Sequence, residues 1–339
     1  MSLLQIRRME NHHKVQKEVI HIALTIDENY VRYCTVVIAS VLENNKEEPV
    51  VFHVVANGLS AQSRSQLTLQ AAKGGSKVFF YAAPSSLLCD FQLKWGGKRL
   101  SMTVFYRCVL ATILPDYVKQ VIYMDCDVLV LQSLRGLWNT RMEGYAMAGV
   151  QDLLKTPEEY FVRLGYDRKH GYVNGGVLLL NLDYWRNNDV ENRLKKYFKE
   201  HTAQIVRNDQ DIMNAVLIHE KIMLDFKWNV QIDVFGTDNY KDEALREKCL
   251  QIASDIGILH YCYRKKPWHY NCIHPLRELF FEYERLTPFD DYASLSSPWS
   301  RVHRFMHNLP YTIGLKKSKV LTKRQFEKYR LKYIENKKR

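Results

Sequence analysis

VIHIALTIDENYVRYCTVVIASVLENNKEEPVVFHVVA (residues 19–56) decides the fold. Residues 19–26 are mostly apolar and β-branched, the composition of a short buried strand. Asp-Glu-Asn at 27–29 ends it. From Tyr30 to Leu42 the apolar residues recur at helical spacing, and Asn44-Asn45 closes that run. Residues 50–56 (VVFHVVA) repeat the strand composition. A helix follows over 60–73, opened by Ser60 and stopped by Gly74-Gly75, and a third strand over 77–81. Strand, helix, strand, helix, strand is the order of a parallel sheet with crossover helices. Such a sheet binds ligands at the carboxyl ends of its strands, so Asp27, Glu28, Asn29 and Tyr30 stand where a nucleotide is expected.

Outward from this unit the same alternation continues. Residues 101–114 read as a helix, and an apolar strand over 121–124 runs into Asp125-Cys126-Asp127. Residues 146–150 form a candidate strand ending at Gln151-Asp152, and 176–182 (GVLLLNL) a strong one. Helical patterns return at 190–201 and 210–220. After Ile258-Leu259-His260 the pattern is irregular and aromatic. There are no internal repeats. Ser and Pro cluster near 290–300, which divides the chain into an extension (1–18), an α/β domain (19–290) and a tail (291–339).

The chain has 339 residues with 46% hydrophobic and 12% aromatic content, enough for a substantial core. Its net charge of +12 is unevenly placed. Residues 316–339 hold eleven Lys or Arg against two Glu, a net of +9, leaving +3 for the rest. A basic tail calls for an anionic partner, and its interleaved Tyr329, Leu331, Tyr333 and Ile334 suit an amphipathic helix on an anionic membrane surface. The simpler reading is a solvated helical tail. Seven scattered cysteines without a CxxC pair read as reduced thiols of a cytoplasmic protein. The charged first twenty residues do not read as a signal peptide, and no apolar window reaches the ~20 residues of a membrane span. Membrane contact is therefore expected to be peripheral, at the inner face of the cytoplasmic membrane.

Chemistry concentrates in four places. YMDCDVLV (residues 123–130) puts Asp125 and Asp127 at i and i+2 after an apolar strand. An extended backbone points both carboxylates one way, and a turn splays them. Either suits a divalent cation, because hard cations take oxygen ligands. A cation there would neutralise a departing diphosphate. Alone, Asp-x-Asp reads more simply as a solvated turn. ILHYCYRKKPWH (258–269) adds His260, a possible metal ligand, and Lys266, a point charge for phosphate. In isolation His260 reads as structural and Trp268 as packing. Asn174-Gly175-Gly176 permits either a tight turn or a close backbone approach. In Arg207-Asn-Asp-Gln-Asp211, Asp209 either caps a helix or, with Gln210, faces a reacting group.

Together these clusters resemble the family 8 glycosyltransferases, and in particular the bacterial enzymes that build lipopolysaccharide or lipooligosaccharide cores. IDENY (26–30), FYR (105–107), MDCDVLV (124–130) followed by Leu137-Trp138, VNGGVLLLNLDYW (173–185), NDQDIMN (208–214) and HYCYRKKPWH (260–269) occur in the family's order. The resemblance covers roughly residues 20–275. It implies a GT-A fold, a Rossmann-like domain with a mixed, mostly parallel sheet. It also implies a UDP-sugar donor, usually with Mn2+ (Mg2+ as an alternative), and retention of anomeric configuration. Carried over, Asp125, Asp127 and His260 become metal ligands. Asp27, Asn29 and Tyr30 contact the uridine, with Thr25 adding backbone contacts. Arg107, Asp152 and Asn174 contact the donor sugar, Asp209 and Gln210 line its reacting face, and Lys266 meets the diphosphate. Cys126 lies between the aspartates as a permissible middle residue.

Tyr263 and Arg264 stand where many relatives have a small residue, often Gly, followed by a less bulky one, and Gly175-Gly176 replaces a commoner Ala-Gly or Ser-Gly. The expected activity is transfer of glucose or galactose from UDP to a lipopolysaccharide or other surface-glycan acceptor. A self-glucosylating glycogen primer is an alternative within the family. A nucleic-acid-binding protein leaves the central carboxylates unexplained, since they repel phosphate, so no nucleic-acid partner is expected. A nicotinamide-dependent dehydrogenase would need GxGxxG after the first strand, where TIDENYV stands instead.

Overall fold

Ile20–Thr25 (β1) carries buried side chains on both faces: Ile20, Ile22 and Leu24 enter one core and Ala23 another. A strand apolar on both faces belongs inside a sheet covered on both sides. The computed structural model places it there. It describes residues 17–89, 91, 94–95, 98–99, 102–262, 264–289, 299, 302, 305–306, 309–310 and 318–337. Val50–Val55 (β2) and Lys77–Tyr81 (β3) lie parallel on one side of β1. Gln120–Met124 (β4) lies parallel on the other. Val128–Val130 (β5) leaves this sheet; Met147–Gln151 (β6), Val173–Asn181 (β7) and Lys221–Met223 (β8) complete it in the order β8-β6-β7-β4-β1-β2-β3. Only β7 is antiparallel to its neighbours. Its start therefore lies at the edge where β4 and β6 end, which brings Asn174-Gly175-Gly176 to the ligand side.

Val31–Asn44 (α1) and Ala61–Ala72 (α2) cover one face. Ser60 caps α2 by accepting from the Ser63 N–H at 3.1 Å. Val190–His201 (α3), Asn208–Val216 (α4) and the turns before β4 cover the other. Residues 102–109 wind as 3-10 turns, with α-helix confined to Leu110–Ile113, where a single helix is expected. Three residues per turn align Val104 with Arg107 at the ligand cleft while Phe105 and Cys108 enter the core. The glycines after Asn174 lie inside β7, which begins earlier than its apolar run suggests.

A third core joins Glu243–Ser254 (α5), Arg277–Glu284 (α6) and a small antiparallel pair of β5 with Ile258–His260 (β9). The C-terminal segment completes this core. Leu321 is 3% and Phe326 1% exposed, and Tyr329 and Tyr333 of Lys323–Lys337 (α7) pack beside them. Residues 318–337 are thus docked on the body rather than set apart from it, while Lys323, Arg324, Lys328, Arg330 and Lys332 face solvent. Most of the Ser/Pro-rich boundary lies outside the described residues, as does most of the N-terminal extension. Among the described residues no helix is long and apolar enough to cross a membrane. All seven cysteines are free thiols.

Candidate active site

β4 stops at Met124 and the chain turns through Asp125-Cys126-Asp127 before β5. The turn is held on both sides. The Asp125 N–H donates to the Gly176 carbonyl at 2.8 Å, and the Tyr261 N–H donates to the Asp127 carbonyl at 2.9 Å. Asp125 Oδ1 accepts from Tyr123 Oη at 2.7 Å and Arg107 Nη2 at 2.8 Å. Asp127 is buried, bonded by Lys266 Nζ and 3.3 Å from His260 Nε2. Burial alone would raise its pKa, but Lys266 and then His260 outweigh it and hold the carboxyl well below the ordinary range. Pairing of β9 with β5 sets His260 opposite Val128, beside Asp127. One candidate ligand atom each from Asp125, Asp127 and His260 lie within 4.8 Å of one another.

Arg107 is the charged hub behind this cluster. Its guanidinium lies over the Tyr123 ring, donates to the Gly175 carbonyl and pairs with Asp125 and, at 2.9 Å, with Asp209. Burial raises the Asp209 pKa to about 6 even though Arg107 opposes the shift. Gln210 Oε1 accepts from the Gly175 N–H at 2.8 Å. Asp209 does not cap α4. Asp211 instead ties down the approach to the helix, accepting from the Val206 and Arg207 N–H groups at 2.7 Å each, and it also binds Arg163. Asp209 is thereby left to face the cleft.

Two clefts meet at Arg107, Asp125, Asp127 and Lys266. One is lined further by Thr25, Asp27, Tyr30 and Cys126. The other is lined by Asn174, Gly175, Gly176, Arg207, Asp209, Gln210 and His260 and is strongly polar. Two expected contacts lie apart from these linings. Asn29 is exposed, with its N–H turned to Asp27 Oδ1 at 2.9 Å. Asp152 is buried one layer behind Asn174, which donates to its Oδ1 at 2.8 Å, and its other oxygen is 3.6 Å from Arg207 Nη1. Trp268 packs against Tyr33, with ring centroids 3.7 Å apart. Tyr263 lies outside the described residues.

Sequence reasoning missed the layer that supports the site. Asn229 bonds His260 and Asn174, Gln231 bonds the backbone of Gln151 and Leu153, and Asp233 accepts from the Leu154 N–H. Leu153 has a φ of 64°, so the loop carrying Asp152 is strained and needs these anchors. The signal was present in WNVQIDVF (228–235), where polar residues alternate with apolar ones at strand spacing.

The model of glycosyl transferase family 8 matches residues 21–272. The chain belongs to this family. It is 25% identical to General stress protein A of Bacillus subtilis, over 80% of this chain and 96% of that one. It is 24% identical to the lipopolysaccharide 1,3-galactosyltransferase of Salmonella typhimurium, over 83% of this chain and 79% of that one. Among solved structures, a galactosyltransferase LgtC in complex with donor and acceptor sugar analogues superposes with a TM-score of 0.69 at 25% identity, covering 84% of this chain and all of that one. The fold is GT-A, and the protein is a glycosyltransferase related to lipopolysaccharide sugar transferases.

Proposed function

We propose that this enzyme transfers glucose or galactose from its UDP-sugar to a hydroxyl of a lipopolysaccharide or other surface-glycan acceptor, with retention of configuration. The observation that carries this reading is the meeting of two clefts at Asp125, Asp127 and Lys266, with His260 alongside. UDP occupies the cleft of Thr25, Asp27 and Tyr30, with Asn29 at its outer end, and the sugar occupies the polar cleft. The donor set fits a divalent cation, since two carboxylates and an imidazole converge there. That mixture suits Mn2+, and Mg2+ less well because Mg2+ favours oxygen ligands. Held by Asp125, Asp127 and His260, the cation would neutralise charge on the departing diphosphate.

The chain's own groups do the rest. Lys266 adds a point charge to the diphosphate. Arg107 holds Asp125 and Asp209 in place, and Asp209, Gln210 and Asn174 grip the sugar's hydroxyls. The Gln210 oxygen is engaged by the Gly175 N–H, and an amide is a poor nucleophile, which favours direct transfer over a covalent intermediate on Gln210. In direct transfer the acceptor oxygen bonds to the sugar carbon on the face from which the phosphate oxygen departs. That departing oxygen takes the acceptor's proton. Asp127→Asn should lower metal-dependent UDP-sugar hydrolysis and transfer at least a hundredfold, and wild-type turnover by this variant would sink the assignment. Hydrolysis of UDP-glucose and UDP-galactose with Mn2+ and Mg2+ identifies the donor.

The same reading puts the enzyme on the cytoplasmic face of the membrane, where such acceptors are built. Two features support this. The outward face of α7 is basic, and Trp299, Val302, Phe305 and Met306 are 76%, 49%, 64% and 59% exposed at helix-like spacing. Exposed apolar side chains and an exposed basic helix face each suit an anionic bilayer surface.

A further inference from the structure

A buried chain of amides runs from Asp152 to His260. Asn174 Nδ2 donates to Asp152 Oδ1 at 2.8 Å, Asn229 Nδ2 donates to Asn174 Oδ1 at 2.9 Å, and Asn229 Oδ1 lies 2.9 Å from His260 Nδ1. Asn229 is 0% exposed and the other three 7% or less. The direction of the chain is forced by its ends. Asp152 Oδ1 is met by the Asn174 NH2, a donor. The Gly176 N–H, which only donates, meets the Asn174 oxygen at 3.0 Å and requires the same orientation. Asn229 must then give its NH2 to Asn174 and its oxygen to His260. An oxygen acceptor at Nδ1 demands a proton there, which leaves Nε2 as the ring atom facing Asp127 at 3.3 Å.

We infer that Asn229 is a positioning residue for metal binding, which holds the His260 ring with Nε2 presented to the cation through an amide chain anchored on Asp152. The inference rests on the reading of Asp125, Asp127 and His260 as the metal site. It gives Asp152 an effect on the metal that needs no contact with it. A neutral imidazole ligates through the nitrogen that lacks a proton, and the bond made by the other nitrogen selects which one that is. The backbone supports the arrangement: the His260 N–H donates to the Val230 carbonyl at 2.9 Å, keeping Asn229 abreast of the ring.

Two measurements on the full-length protein test this. One is Mn2+ affinity in the presence of UDP, by calorimetry, with His260→Ala as the control for the metal site itself. The other is the His260 tautomer without metal, from long-range proton–nitrogen spectra of the imidazole. Asn229→Leu should weaken Mn2+ about 10- to 100-fold and lose the Nδ1–H preference. Asp152→Asn, a milder change that removes one acceptor oxygen, should shift both in the same direction. If wild type binds neither Mn2+ nor Mg2+, the metal reading fails and this inference with it. If wild type binds but Asn229→Leu binds equally well, the inference alone is overturned. Weakened binding with the tautomer unchanged also overturns it, because the loss would then come from packing.

Discussion

Asp209 and Asp211 sit two residues apart in the first turn of α4, and nothing local separates their roles. Asp211 takes the backbone donors and Arg163, and its pKa falls because these bonds outweigh its burial. For Asp209, burial outweighs the opposing Arg107 charge and the pKa is raised to about 6. Its carboxylate form, which pairs with Arg107 and in the proposed function grips the sugar, is therefore lost as pH falls through that value. Transfer should show an acidic limb with an apparent pKa near 6, and a pH–rate profile of Asp209→Asn should lack it. The candidate ligands and Lys266 were legible as residue types in motifs. Asn229 was not, because its role comes from facing His260 across 31 positions in the chain.

At the scale of elements, β7 shows why Asn-Gly-Gly is ambiguous in sequence. Glycine serves a turn or a close approach equally well, and only the neighbouring strand decides. Here a Cβ on Gly176 would lie 2.2 Å from His260 Cε1. Gly176→Ala must push the ring off Asp127. The expected result is at least a tenfold loss of Mn2+ affinity in the same calorimetric titration, with a stability cost of about 1–3 kcal/mol. The first three strands and both helices between them were legible to within a residue or two, because the strands and the first helix are apolar runs and the second helix carries its own start and stop signals in Ser60 and Gly74-Gly75. Residues 102–109 were not, since apolar residues suit a 3-10 run as readily as a helix and the demand to aim Arg107 is tertiary.

At the scale of the molecule, the basic C-terminal segment is both scaffold and surface. Phe326 lies 5.1 Å from Phe235, ring to ring, inside the third core. Phe326→Ala should cost about 3–5 kcal/mol in denaturant unfolding, an effect a free tail would not show. For the same reason, deleting residues 316–339 would strip Leu321 and Phe326 from that core and confound a membrane test. Substitution in place separates the two. Trp299→Ser with Phe305→Ser should reduce sedimentation with anionic liposomes while leaving hydrolysis of the free donor intact. Equal sedimentation of variant and wild type would exclude that face as the membrane contact.

Sequence by itself determined the parallel α/β unit, the carboxylates at its strand end and the family, because strand and helix periods and motif spacing are local properties. Tertiary structure decided the rest. An antiparallel β7 returned Asn174-Gly175-Gly176 to the ligand edge, and β9 set His260 against Asp127. Asn229 was placed between two residues already singled out, and Asp152 was withdrawn behind Asn174. These depend on which strands become neighbours, and strand pairing joins positions far apart in the chain that no local period relates.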